Sequence, residues 1–123
     1  MAKVAVILAQ GFEEIEALTV VDVLRRANIS CDMVGFEEQV TGSHDIQVKA
    51  DRIFDGDLSD YDLVVLPGGM PGSAHLRDNQ ALISPYFFSY LSYFFFIIVN
   101  FSSNSSTHDL TNIWFSNIVG YFV

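Results

Sequence analysis

The chain is short of several things, and each shortage closes off a class of function. It has one cysteine in 123 residues, Cys31. That excludes an intrachain disulfide and any cysteine-rich zinc site, and it fits a reducing, cytosolic setting. Basic residues are scarce: 6 Lys and Arg against 15 Asp and Glu, a net charge of −9. This argues against nucleic acid as a partner, because its phosphates require Lys and Arg, and against anionic membrane surfaces for the same reason. The longest apolar candidate for a membrane span, Tyr86–Phe101, is shorter than the roughly 20 residues a bilayer needs. It also lacks flanking Lys or Arg, so a membrane tether is a minor reading. Lys3–Ala9 is too short for the apolar core of a secretory leader and runs on into Glu13-Glu14, so no signal peptide is expected. The phosphate-loop and dinucleotide glycine fingerprints are absent, and no cofactor is expected.

The charge that is present is confined to one part of the chain. All 6 Lys and Arg lie at or before Arg77, and 14 of the 15 acids at or before Asp78. Of the 17 aromatics, 13 follow Ser84. Residues 1–83 therefore read as an ordered acidic domain and 84–123 as an aromatic and Ser/Asn-rich tail written under different constraints.

Within the first part, Val4–Ala9 is a continuous apolar run of the kind buried on both faces of a parallel sheet. Residues 13–28 predict a helix with Ala17, Val20, Val21, Leu24 and Ala27 as its buried stripe. Glu13 and Glu14 stand at its positive end, Arg25 and Arg26 at its negative end. A second strand is expected at Cys31–Phe36, short excursion strands at Val40–Gly42 and Ile46–Asp51, and a buried strand at Leu63–Leu66 ending in Pro67-Gly68-Gly69. Ser73–Ile83 could open a second helix. The order implies an α/β, doubly wound, mainly parallel sheet. Ligands of such sheets bind beyond the carboxyl ends of the strands, here Gln10-Gly11-Phe12 and Pro67-Gly68-Gly69.

Glu16 is the first candidate site residue. On a helical wheel it falls between Val23 and Ala27, inside the apolar arc. Partial desolvation there would let it hold or donate a proton, while an ordinary first-turn acid complementing the dipole is the alternative. Glu13 also falls toward the arc but can escape to solvent. Gly68-Gly69 is the second candidate, since two glycines after a buried strand can aim consecutive N–H groups at a ligand oxygen; an ordinary turn is the alternative. Cys31 lies at the beginning of a strand, far from those ends, and reads as structural. Asp55, Asp57, Asp60 and Asp62 have a calcium-like spacing, but Leu66 stands where a closing Glu is needed, so a solvated loop is expected. His44, His75 and His108 show no metal-ligand spacing, and no metal site is expected.

Val4–Glu16, Asp22–Ala27 and Val64–Gly72 together resemble the N-terminal half of the ThiJ/PfpI family. That family includes the Parkinson's-disease-associated protein deglycase, and its bacterial members are often called thiazole monophosphate biosynthesis proteins. The resemblance covers about residues 2–83. It implies a flavodoxin-like fold, usually as a homodimer, and a cysteine nucleophile on a strand-to-helix elbow assisted by a glutamate from the first helix. Glu16 matches that glutamate. Gly68 and Gly69 match the segment whose N–H groups line the oxyanion site. Intact relatives are expected to act on small reactive carbonyls or glycated adducts, as glyoxalases or deglycases, and peptidase-like and chaperone roles are attached to the family too.

The chain departs from the family pattern after Ile83. No cysteine follows Cys31, and the later strands, helices and partner histidine are missing. The resemblance therefore implies a fold incomplete in its C-terminal half, with 84–123 as the product of a frameshift, a readthrough or a fused gene remnant. It also implies that the nucleophile is absent and that the chain is inactive as an enzyme. The alternatives are a non-catalytic binding or chaperone-like module and a membrane-tethered fragment. Residues 84–123 are not expected to pack as a native-like second half, which would leave a sheet edge exposed.

Overall fold

Alternation along the first strand, β1 (Lys3–Leu8), decides how the chain is layered. Side chains on a strand point to opposite faces in turn. Val4, Val6 and Leu8 join one apolar cluster, and Ala5, Ile7 and Ala9 the other. Both faces must be covered, which is why the run is apolar throughout. The computed structural model describes residues 2–82 and the backbone of the strand Phe96–Val99.

The helix α1 (Glu14–Arg26) covers the first face. Ala17 and Val21 are its buried residues, with Leu18, Val20 and Leu24 packed alongside. One member of the expected stripe behaves differently, as does a neighbour outside it. Ala27 is exposed, and so is Val23 at 55%. The helix thus buries a narrower, rotated stripe. Behind it, Asn28 takes a left-handed φ of 58°, and the chain enters β2 (Ser30–Gly35).

β1 pairs in parallel with β2 and with β6 (Leu63–Pro67). A hairpin leaves the sheet between them: β3 (Gln39–Thr41) and β4 (Gln47–Lys49) are antiparallel, with Val40 opposite Val48. The two-residue β5 (Arg52–Ile53) then extends the sheet beside β2. After β6 comes α2 (Gly72–Asp78), which buries Leu76 against the second face with Leu58, Tyr61 and Leu82. The helix expected to run to Ile83 breaks at Asn79, whose side-chain oxygen accepts the Leu82 N–H at 3.0 Å.

β7 (Phe96–Val99) lies parallel to β6, giving the order β5-β2-β1-β6-β7. The α/β, doubly wound, parallel architecture is as the sequence implies. The far side of β6 is not the open edge expected there. A run of β-branched and aromatic residue types suits a strand, and β6 offers a full row of backbone partners. Apart from β7, the remaining expectations for 84–123, including the rest of Tyr86–Phe101 and His108, lie outside the described residues. Among the described residues, no helix is long and apolar enough to cross a membrane.

Candidate functional site

From β1 the chain crosses through α1 to β2 and β5 on one side, then returns to β6 on the other. The strand order therefore reverses between β1 and β6, where open parallel sheets leave a crevice at the carboxyl ends. Two backbone turns meet there. The β1–α1 turn, Ala9–Glu13, closes with the Phe12 N–H donating to Ala9 O at 3.0 Å. It reaches the β6 turn directly, because the Glu13 N–H donates to Gly68 O at 2.9 Å. Gly69 has φ +98°, and a Cβ at that position would run into the Glu13 backbone nitrogen. Only glycine permits both that φ and that approach.

Glu16 crosses the same junction. Its Oε2 accepts the Gly68 N–H at 2.7 Å, and the residue is half-buried. The sequence expects Glu16 inside the apolar arc because it lies between Val23 and Ala27. Those neighbours are exposed, so the shielding comes from the β6 turn instead. The structure brings Glu16 and Gly68 into contact with Gly69 adjoining. A carboxylate held by an amide at a helix N-terminus, at the strand ends, is placed to take or return a proton on a group bound beside it.

Cys31 is elsewhere. It is 4% exposed, packed with Val4 and Val21 beneath α1. It stands level with Val4 on β1, five residues before Ala9, or about 16 Å along the strands from the Gly68 turn. Burial pushes its thiol pKa up, with Asp32 and Asp51 adding to this and Arg25 opposing it. It is a packed side chain.

Sequence reasoning missed Glu14. It is 5% exposed, the buried charged residue of the first turn, whereas Glu13 is only half-buried. Its Oε1 accepts the His44 N–H at 2.8 Å, and its Oε2 lies 3.3 Å from Ser43 Oγ and 3.2 Å from His44 Nδ1. Burial alone would raise its pKa, but hydrogen bonds from the His44 backbone and ring, with backbone contributions from Glu14 itself and Ile46, outweigh that and hold it at about 2. His44 in turn has a raised pKa, from its hydrogen bond to Glu14 and then the charge of Glu13. Gly42 lies so close that a Cβ there would strike the Glu14 carboxylate. The Glu-Glu-x-Glu run was visible, but its partners sit some 30 residues away on the β3–β4 hairpin, and spacing cannot reveal that. His75, isolated in the sequence, sits on α2 with Nδ1 3.1 Å from Gln10 O. Asp55 and Asp57 accept backbone and Arg52 hydrogen bonds within their own loop, as a solvated loop does.

The chain is similar in sequence and fold to known proteins. A family model described as the DJ-1/PfpI family matches residues 2–85. Protein dj-1beta of Drosophila melanogaster is 47% identical over 78 residues, 61% of this chain and 42% of that protein. The Parkinson disease protein 7 homolog of Danio rerio is 37% identical over 81 residues, covering 63% of this chain and 43% of that protein. Among solved structures, oxidized Toxoplasma gondii DJ-1 is similar with a TM-score of 0.64 and 39% identity, over 68% of this chain and 47% of that one. The chain spans less than half the length of the curated relatives it matches. Sequence match and fold agree over the same stretch, β1 through α2, that builds the Glu16–Gly68 junction: the chain belongs to the DJ-1/PfpI family.

Proposed function

We propose that this 123-residue chain carries the supporting part of a site for small reactive carbonyls, or for glycated adducts, without the nucleophile that would attack them. Intact relatives, on this reading, are cysteine-dependent glyoxalases or deglycases that work as homodimers. In them the counterpart of Glu16 manages the thiol proton, and the counterparts of Gly68 and Gly69 supply oxyanion donors. One observation carries the reading. Glu16 Oε2 meets the Gly68 N–H at 2.7 Å at the strand ends, while the single cysteine is buried near the opposite end of the sheet. The chain is accordingly expected to be catalytically silent and, with its one thiol, suited to a reducing cytosol.

The test is methylglyoxal disappearance with the chain and with Cys31→Ser. Neither should exceed buffer. Robust turnover abolished by Cys31→Ser would overturn the proposal. The same reading treats 1–83 as the family part and 84–123 as outside its pattern. If shifting the reading frame near codon 83 restores no charged helix followed by a cysteine motif, the frameshift origin fails.

A second reading has its own support in Ile15 and Met70, which are 75% and 70% exposed. It holds that the chain is a non-catalytic module binding clients through apolar surface. A monodisperse, saturable complex with an unfolded client, seen by light scattering, would favour it; aggregation alone would sink it.

A further inference from the structure

Four donor groups converge where the β3–β4 hairpin folds over the first turn of α1. His44 Nδ1 lies 3.5 Å from Glu13 Oε1 and 3.2 Å from Glu14 Oε2. Ser43 Oγ lies 3.3 Å from each of the Glu13 and Glu14 Oε2 atoms and 3.0 Å from His44 Nδ1. The ligand atoms of Glu13, Glu14 and His44 all fall within 4.8 Å of one another. We propose that Glu13, Glu14 and His44, with the Ser43 hydroxyl beside them, form a site for a divalent transition-metal ion of the zinc class.

The distances support this. With metal–nitrogen and metal–oxygen bonds of about 2.0–2.2 Å, ligand atoms on a tetrahedron stand roughly 3.3–3.6 Å apart. The imidazole–carboxylate separations of 3.2 and 3.5 Å are close to that edge, and the three ligand atoms, all within 4.8 Å of one another, would draw together around an ion. Charge agrees as well. Two carboxylates face one imidazole, and among the described residues His44 is the cationic group paired with both. A divalent ion balances both carboxylates, whereas a proton on His44 balances one.

The donors are also held in advance. The Glu14 Oε1 atom is committed to the His44 N–H at 2.8 Å, which turns Oε2 toward the cluster. The Ser43 N–H donates to Phe12 O at 2.8 Å, fastening the hairpin to the turn before α1. Exposure is graded, from 6% for the Glu14 side chain through 28% for Glu13 to 70% for His44. The site is closed on the protein side and open to solvent, leaving room for an entry path and a bound water. An imidazole donor selects zinc, cobalt, nickel or copper over magnesium and calcium, which take oxygen alone. When an ion binds, any proton on Nδ1 leaves to solvent, and the ring coordinates as the neutral base. Glu16 and Gly68 are not ligands, so the inference stands or falls apart from the carbonyl chemistry.

The experiment is calorimetric titration of the purified full chain with Zn²⁺, paired with Co²⁺ absorption spectroscopy. One equivalent should bind, Co²⁺ should give visible ligand-field bands, and equimolar Mg²⁺ should not compete. His44→Ala and Glu13→Gln should each weaken binding by at least about tenfold, the lower end of what lost coordination support produces. His44 is exposed and Glu13 half-buried, and circular dichroism will verify that the variants fold. His75→Ala and His108→Ala should leave affinity unchanged, and amide resonances of Gly42–Asp45 should shift on Zn²⁺ addition. Absence of saturable binding overturns the site. So does binding that His44→Ala and Glu13→Gln leave within twofold, or binding lost instead with His75 or His108.

Discussion

The two ends of the parallel sheet handle their polar groups in opposite ways. At the amino end everything closes locally on the strands. The Lys3 N–H donates to Asp62 Oδ2 at 2.7 Å while the Asp62 N–H donates to Lys3 O at 2.8 Å. Tyr61, 1% exposed, gives its hydroxyl to Asp32 at 2.7 Å and lies under the Lys3 ammonium at 4.6 Å. Cys31 is packed away here. At the carboxyl end the groups come from turns and a helix N-terminus, where backbone N–H groups are left over. Gly68 and His44 give theirs to Glu16 and Glu14. Strand ends that close on themselves support the fold. Strand ends joined through carboxylates keep lone pairs and ring nitrogens that a ligand can use.

The largest effect that would test this contrast is on the amino end. Tyr61→Ala empties a fully buried position in the cluster with Ile7, Leu58 and Leu76, and should cost about 3–5 kcal/mol in urea unfolding. In the fraction that remains folded, the Gly68 amide resonance should stay where it is, since Glu16 does not touch Tyr61. A shifted Gly68 amide would show that the two ends are not independent.

Glu14→Gln comes next, at about 1–3 kcal/mol, because ionised acceptors for His44 and Ser43 are replaced by a neutral amide. Its effect depends on pH with a definite sign. The Glu14 pKa is lowered from an ordinary 4.5 to about 2, so its contribution is present above pH 4.5 and is lost as pH falls toward 2. His44 is raised from 6.5, so its contribution is complete below 6.5 and fades as pH rises through the folded value. Stability from the pair is greatest between those limits. Denaturation midpoints measured from pH 2 to 9 should show the acid slope flattened in Glu14→Gln and the alkaline slope flattened in His44→Ala. An unchanged acid slope would mean that Glu14 is not the buried anion described above.

The sequence made the layering legible and left the polar geometry largely hidden, for a physical reason. β1, α1, β2 and β6 follow from periodicity, because burying one or both faces imposes a repeat that neighbouring residues report. Glu16 and Gly68 stand out separately, but not their pairing, and the helical wheel shields Glu16 for the wrong reason: Val23 and Ala27 are exposed, and the turn after β6 does the shielding. Glu14 and His44 carry no such signal. Their relation spans 30 residues and depends on where the β3–β4 hairpin lands, which the alternation in Val40–Gly42 and Ile46–Asp51 does not encode. The pairing of β7 with β6 was missed because composition marked the tail as foreign to the family without indicating that a vacant strand edge would accept it.

The smallest effect sharpens the contrast most, because it separates two carboxylates on one helical turn. Glu16→Gln retains a side-chain oxygen that can accept the Gly68 N–H, and Glu16 is half-buried where Glu14 is buried. The stability change should stay below about 1 kcal/mol, the worth of an ordinary hydrogen bond. The Gly68 amide proton should nevertheless move upfield and exchange faster, as a neutral acceptor replaces a charged one. Stability nearly unchanged with an altered amide is the signature of a group held for use. If Glu16→Gln costs as much as Glu14→Gln, then Glu16 is simply another cross-brace between α1 and β6, and the carboxyl end differs from the amino end in geometry alone.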